Sequence, residues 1–205
     1  MMQRLSELAD ILDAKLVGND TGFSRVVTDT RKLAAGDLYV ALKGENFDGH
    51  DFLAAAQSAG AAGALVSRVV DCPLPQVCAQ DTLTALQNYG AAWRSGFDLP
   101  VVGVTGTNGK TTTKQMLASI FEARGPVLAT QGNLNNHIGV TLTLLSLGQQ
   151  HRTAVVEMGA NHLGEIALLT KLSRPQVGVV PHAGDELFLK LVNATCKFEC
   201  GHRAP

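Results

Sequence analysis

No stretch of this 205-residue chain is long and apolar enough to span a bilayer. No Lys/Arg-rich run offers nucleic acid an electrostatic footprint. A membrane-spanning helix and a nucleic-acid partner are therefore not expected. Neither sign of charge dominates, since 17 basic residues face 18 acidic ones for a formal charge of −1. Cysteine is sparse. Cys72, Cys78, Cys196 and Cys200 make neither a CxxC pair nor a disulfide framework, which fits a reducing cytoplasm. Glu7, Asp10 and Asp13 interrupt any apolar core of a signal peptide. Internal repeats and low-complexity tracts are lacking. The remaining composition, 45% hydrophobic and 17% charged, suits a globular chain of one large domain or two modest ones, each able to bury a core.

Against these absences, one run carries most of the functional information: Val101-Val102-Gly103-Val104-Thr105-Gly106-Thr107-Asn108-Gly109-Lys110-Thr111-Thr112-Thr113. A buried parallel strand, a glycine-punctuated turn and a helix start follow one another, which is the layout of a phosphate cradle. Gly106 and Gly109 let the backbone bend, so that the N–H groups of Thr107 and Asn108 approach anionic oxygens. Lys110 supplies a mobile positive charge for terminal phosphates. The Thr111 hydroxyl is suited to Mg²⁺, and Thr112 continues the helix start. The strict G-x-x-x-x-G-K-[ST] pattern fails, because Val104 stands where its first glycine belongs, but G-x-x-G-K-T-T fits. A helix N-terminus with a chance lysine is the alternative, and the complete strand–turn–helix context disfavours it. The helix is expected to be amphipathic through Met116, Leu117, Ile120 and Phe121.

The first part of the chain reads as a small α/β unit over residues 1–80. It holds a short helix bearing Leu5, Leu8, Ala9 and Leu12, strands at 25–28, 38–42, 64–66 and 76–79, and an alanine-rich helix over 52–59. Asp81 or Thr82 is placed to cap a helix that carries Leu83, Leu86, Tyr89 and Trp93 toward a core. Residues 81–180 alternate strand and helix as a parallel sheet does. Strands are expected at 101–104, 127–129, 153–157 and 176–180, with helices after the phosphate loop, at 138–147 and at 163–172. Ligands of such sheets sit beyond the carboxyl ends of the strands, where Thr105, Thr130 and Glu157 fall.

Three further loops carry chemistry. Glu157 closes its strand, and spacing alone leaves a Mg²⁺ ligand and a solvated carboxylate equally open. Gly132-Asn133-Leu134-Asn135-Asn136-His137-Ile138-Gly139 offers neutral donors and acceptors, and it is equally readable as a helix-capping loop. Residues 28–32, with Thr30 and Arg31, and 42–52, with Lys43, Gly44, Asp48, Gly49 and His50, are rich in hydrogen-bonding groups. Arg31 and Lys43 are suited to a diphosphate, although composition alone favours ordinary solvated turns.

Together these residues resemble the Mur ligases of bacterial cell-wall synthesis. The match runs in order through Asp29-Thr30-Arg31 with Gly36-Asp37-Leu38-Tyr39-Val40-Ala41-Leu42, then Gly44-Glu45-Asn46-Phe47-Asp48-Gly49-His50-Asp51-Phe52. It continues through Thr105-Gly106-Thr107-Asn108-Gly109-Lys110-Thr111-Thr112 to the 132–140 loop, Glu157-Met158-Gly159-Ala160 and Gly164-Glu165-Ile166. The phosphate loop is common to Mur ligases and folylpolyglutamate synthetases. The Gly-Asn-Leu-Asn-Asn and Phe-Asp-Gly-His-Asp-Phe runs are more particular to the dipeptide-adding branch. Thr141 stands where proline is expected.

The resemblance implies a small uridine-binding α/β domain followed by an incomplete parallel-sheet ATPase domain. It also implies ATP and Mg²⁺ as cofactors, and as substrates UDP-N-acetylmuramoyl-tripeptide and D-alanyl-D-alanine, joined through an acyl phosphate. Lys110 becomes the phosphate-binding lysine, and Thr111 with Glu157 the metal contacts. Thr30, Arg31, Lys43, Gly44, Asp48, Gly49 and His50 become the uridine-diphosphate grip, and Asn133, Asn135 and Asn136 the muramoyl-peptide side. A cytoplasmic monomer is expected. Competing readings are another Mur ligase, a folylpolyglutamate synthetase, or a binding module without catalysis.

From Pro181 the texture changes. Pro181-His182-Ala183-Gly184-Asp185-Glu186 does not follow the family's pattern, in which a magnesium-site histidine, a carbamylated lysine and a dipeptide-binding C-terminal domain come next. The expectation is a truncated or frame-shifted product, inactive alone, with 181–205 as non-family sequence. Cys196, Cys200 and His202 are too few for a metal site and read as coincidence.

Overall fold

The computed structural model describes residues 3–182. The tail beyond them, with Cys196, Cys200 and His202, lies outside the described residues. The chain divides into two compact units, Met1–Ala92 and Trp93–Pro205. The sequence suggests a boundary after residue 80, just ahead of the helix through which this division runs.

The first unit begins with β1 (Gln3–Arg4), α1 (Leu5–Leu12), β2 (Lys15–Val17), β3 (Gly22–Phe23), β4 (Arg25–Val27) and β5 (Asp37–Val40). Next come α2 (Leu53–Ser58), β6 (Gly63–Val66), β7 (Gln76–Cys78) and α3 (Thr82–Ser95). Its sheet runs β2-β7-β6-β5-β4. The last four strands are parallel, and β2 is antiparallel to β7 at the edge. The β5 and β6 strands are buried along their whole length, as their unbroken Leu-Tyr-Val and Ala-Leu-Val runs require of strands covered on both faces. One face packs Tyr39, Ala41, Ala64 and Val66 on Leu53 and Ala56 of α2. Phe23 and Tyr89 meet edge to face with ring centroids 6.3 Å apart.

The second unit adds β8 (Val101–Val104), α4 (Lys110–Glu122), β9 (Val127–Ala129) and α5 (His137–Leu145). It ends with β10 (Thr153–Glu157), α6 (Glu165–Ser173) and β11 (Val177–Val179). The order β11-β8-β10-β9 is parallel throughout. Strand β8 therefore lies between β10 and β11, and its C-terminal end sits centrally. Val102, Val104 and Val155 pack beneath Leu117 and Phe121 of α4. Arg94, buried at the end of α3, donates to the carbonyls of Phe97 (2.7 Å), Ser173 (3.0 Å) and Leu99 (3.4 Å). Loss of solvent pushes the pKa of its guanidinium down, and these carbonyls supply its partners instead.

Nearly all elements match the reading of an α/β chain with a parallel second sheet. Two points differ. The small strands β1, β2 and β3 were not expected. On α4, Met116 and Ile120 are 62% and 63% exposed, not core-facing. The inward face is Lys114, Leu117, Ala118 and Phe121, at the i, i+3, i+4, i+7 spacing of one helical face. A lysine on that face concealed the true phase of the helix.

Candidate functional site

The turn between β8 and α4 is built on two glycines with positive φ, Gly106 at +156° and Gly109 at +79°. An L side chain is strained at both angles, so glycine frees the path that swings the chain from strand end into helix. Gly109 is the N-cap of α4 and offers no side-chain cap, which leaves the first N–H groups of the helix for an outside acceptor. The Lys110 ammonium folds over the turn, donating to the Gly106 carbonyl at 2.7 Å and standing 3.4 Å from that of Thr107. Thr105 N–H donates to Val179 at 3.0 Å, and Thr107 N–H to the His182 carbonyl at 2.9 Å, so Val179 and His182 brace the loop. Asn108 and Thr112 are exposed on its rim.

Beside the loop lies Glu157, at the end of β10 and 2% exposed. Its Oε1 accepts from the Asn135 amide at 2.9 Å and from the Thr111 hydroxyl at 3.2 Å. Its Oε2 has no hydrogen bond and stands 3.4 Å from the Lys114 ammonium, itself almost fully buried. Lys114 donates to the Thr130 carbonyl at 2.7 Å, while Glu157 N–H donates to the Thr130 hydroxyl at 2.9 Å. A buried carboxylate is costly to keep without a charged partner, and Lys114 stands beside its Oε2. Its Oε1, together with the Thr111 hydroxyl, forms an oxygen donor set that fits Mg²⁺, which takes one or two protein ligands and completes its shell with phosphates and water. Among the described residues no group of three or more His, Cys, Asp or Glu could hold a metal by itself.

Of the 132–139 loop, Asn135 reaches Glu157, and Asn136 caps α5 by accepting Gly139 N–H at 2.8 Å. Asn133 is exposed, and its carbonyl accepts Asn135 N–H at 2.8 Å. Lys110, Asn135, Asn136, Gly159 and Glu165 border a cleft of about 260 Å³. Glu165 accepts from the N–H groups of Asn161 (2.6 Å) and His162 (3.0 Å), which hold its carboxyl below the usual range.

In the first unit the expected grip residues lie at strand ends. Arg31 pairs through two nitrogens with Asp29, each at 2.9 Å, and holds that carboxyl at about 2, with Thr30 between them in a 3-10 turn. Lys43 is exposed and bridges in antiparallel fashion to Asp48. Gly44 N–H donates to Phe47 and Gly49 N–H to Leu42, closing a compact loop. Asp48 accepts from His50 N–H (2.9 Å), the Arg68 guanidinium (2.8 Å) and His50 Nδ1 (2.6 Å). These bonds push its pKa well below the carboxylate norm. His50 is buried, and its Nε2 accepts Ser67 N–H at 2.9 Å, which assigns the proton to Nδ1. The row of Asp48, His50 and Ser67 imitates a hydrolytic triad. Because the Nε2 lone pair is already engaged by a backbone N–H, the ring cannot act as base toward the Ser67 hydroxyl and serves as a latch.

A model of the Mur ligase family catalytic domain matches residues 23–122, and one of the Mur ligase middle domain matches 104–186. The chain belongs to the Mur ligase family. A Mur ligase from Escherichia coli strain K12, a UDP-N-acetylmuramoyl-tripeptide–D-alanyl-D-alanine ligase, is 49% identical over 176 residues. That alignment takes in 86% of this chain and 39% of the E. coli protein. The Bacillus subtilis enzyme of the same name is 44% identical over 163 residues, covering 78% of this chain and 36% of that protein. A crystal structure of MurF from Acinetobacter baumannii superposes with a TM-score of 0.83 at 39% identity, covering 88% of this chain and 41% of that one. A Thermotoga maritima MurF in complex with ADP gives 0.70 at 34% identity, covering 78% and 38%. The chain thus spans about two-fifths of the length of the curated Mur ligases it matches, and carries the N-terminal and middle domains. Sequence reasoning placed Thr130 at a strand end without giving it a role, and passed over Lys114. The signal for Lys114 was a lone cation at i+4 from Lys110, in phase with Leu117 and Phe121.

Proposed function

We propose that this chain supplies the nucleotide-binding and UDP-substrate-binding part of an ATP-dependent ligase that joins D-alanyl-D-alanine to UDP-N-acetylmuramoyl-tripeptide. The observation that carries the reading is the convergence of an uncapped helix N-terminus, the Lys110 ammonium and the Thr111–Glu157 pair at one strand end. In the proposed reaction a carboxylate oxygen of the UDP-peptide takes the γ-phosphoryl group of ATP and ADP departs. The dipeptide amine then bonds to the carbonyl carbon, phosphate leaves with the C–O electron pair, and the amine proton passes to solvent. Lys110 and the α4 N–H groups bind and orient the phosphates, the terms on which phosphoryl transfer mainly depends. Neutralisation of phosphate charge is what Mg²⁺ supplies when bound, and Thr111 and Glu157 are the residues to hold it. The loops around Arg31 and Asp48 bind the uridine diphosphate, and the Asn133–Asn136 loop faces the muramoyl peptide. The reading places the chain in the cytoplasm as a monomer. Among the described residues no helix is long and apolar enough to cross a membrane.

Calorimetric titration tests this directly. Binding of ADP with Mg²⁺, and of UDP-N-acetylmuramoyl-tripeptide in preference to the dipeptide form or a folate, is the expected result. Failure of both ligands to bind the folded chain overturns it.

A further inference from the structure

Lys114 is buried on the inner face of α4 and has no part in the phosphate cradle. Its surroundings form a closed ring. The ammonium stands 3.4 Å from Glu157 Oε2 and donates to the Thr130 carbonyl at 2.7 Å. The Thr130 hydroxyl in turn accepts the Glu157 backbone N–H at 2.9 Å. The three residues are 4%, 2% and 2% exposed. Each comes from a different element: Lys114 from α4, Thr130 from the end of β9, and Glu157 from the end of β10. The opposite carboxylate oxygen, Oε1, is turned toward Thr111 and Asn135. The two oxygens therefore have separate surroundings, one beside the phosphate loop and the other beside a fixed internal cation.

We propose that Lys114 is a positioning residue for Glu157. Its ion pair at Oε2 holds the rotamer of the buried carboxylate, so that Oε1 is presented to a cation beside Thr111 before that cation arrives. The inference rests on the reading of Thr111 and Glu157 as the metal side of a nucleotide site. Two physical facts support it. A carboxylate this deeply buried needs a compensating charge, and among the described residues Lys114 is the cation placed in an ion pair with it. Lys114 is also spent on Thr130 and nearly solvent-free, so it orients Glu157 without contending for a phosphate. Partners behind a ligating carboxylate typically contribute about 10–100-fold to metal affinity.

The test is calorimetric measurement of ADP affinity in Mg²⁺ and in EDTA, for the native chain and for Lys114→Met, Lys114→Arg, Glu157→Gln and the double variant Lys114→Met/Glu157→Gln. The quantity read is the ratio of the two dissociation constants, with folding followed by circular dichroism. In Lys114→Met the Mg²⁺-dependent gain falls about tenfold or more while affinity in EDTA holds, and Lys114→Arg restores part of it. A merely structural lysine lowers thermal stability and leaves the ratio unchanged, which overturns the proposal. If Lys114→Met does not fold, the double variant decides, because both charges are gone from it. Identity with Glu157→Gln alone shows that Lys114 acts through Glu157, and a further loss beyond about threefold overturns that. A native chain that binds ADP equally in Mg²⁺ and in EDTA refutes the underlying site reading instead, a result distinct from either outcome above.

Discussion

Asn135 and Glu157 stand 22 residues apart in sequence, and the Asn135 amide donates to Glu157 Oε1 at 2.9 Å. A second bond, from Gly159 N–H to the Asn135 carbonyl at 2.8 Å, ties the same two loops together. The asparagine loop is therefore fastened to the strand-end carboxylate from both its side chain and its backbone.

That fastening depends on the absence of a side chain at Gly159. A Cβ there falls 2.9 Å from Cγ and Oδ1 of Asn135, closer than such atoms pack. Gly159→Ala is expected to displace Asn135, cost about 1–3 kcal/mol of stability, and weaken Mg²⁺-dependent ADP binding. Unchanged binding with unchanged melting temperature would show that the Asn135 bond is dispensable.

Lys110 bridges carbonyls of its own turn and is the first residue of α4. Lys110→Ala should raise the ADP dissociation constant at least about tenfold, near 1.4 kcal/mol. Affinity for UDP-N-acetylmuramoyl-tripeptide, assigned to loops of the first unit, should stay nearly intact. Parallel titrations with the two ligands settle the point, and equal losses at both would refute this division of labour.

His50 joins Asp48 to the backbone of Ser67 through both ring nitrogens. His50→Ala deprives the Ser67 N–H and Asp48 of their partner and leaves a cavity at a buried position, so a loss of about 2–4 kcal/mol is expected. Urea unfolding followed by Tyr and Trp fluorescence reads it. His50→Asn, which keeps one acceptor, should recover part of the loss.

Acid should weaken the first unit. Asp29 is held at about 2 by Arg31, and Asp48 is held well below its usual value by His50 N–H, Arg68 and the His50 ring. Both carboxyls have native pKa values lowered from an ordinary value near 3.9. Their contribution to stability is therefore present above about pH 4 and is lost as pH falls toward 2. Melting temperature measured from pH 7 to pH 2.5 should drop below pH 4, and the drop should be shallower in Asp48→Asn. Equal slopes in the two proteins would assign the acid loss to other groups.

Long, uniformly apolar strands were the legible part of this fold. Val101–Val104 and Thr153–Glu157 are found where the residue pattern puts them, because a strand covered on both faces must be hydrophobic along most of its length. The short pairings were not legible. Lys15–Val17 has three residues and no alternation, and it becomes a strand only because β7 runs beside it. Gln3–Arg4 and Gly22–Phe23 exist only as each other's partner. At the site, the glycine turn and Lys110 were visible from spacing, since a phosphate cradle is local in sequence. The ring through Lys114, Thr130 and Glu157 was not, because three separate elements must be folded before those groups meet. The α4 register failed for the same cause, a buried lysine that reads as solvent-facing until its carboxylate is seen.

The phosphate loop hangs from a strand whose two neighbours, β10 and β11, both come later in the chain. The loop cannot take its final shape while the chain is only partly assembled, since Thr105 is held by Val179 and Thr107 by His182. Pairings so remote in sequence form slowly, after their loop-closure entropy has been met. Under the proposed function, nucleotide capture is thus a late event in the life of each molecule. A fluorescent ADP analogue added during refolding would report completion of the second sheet, and bound nucleotide would in turn hold the finished sheet together.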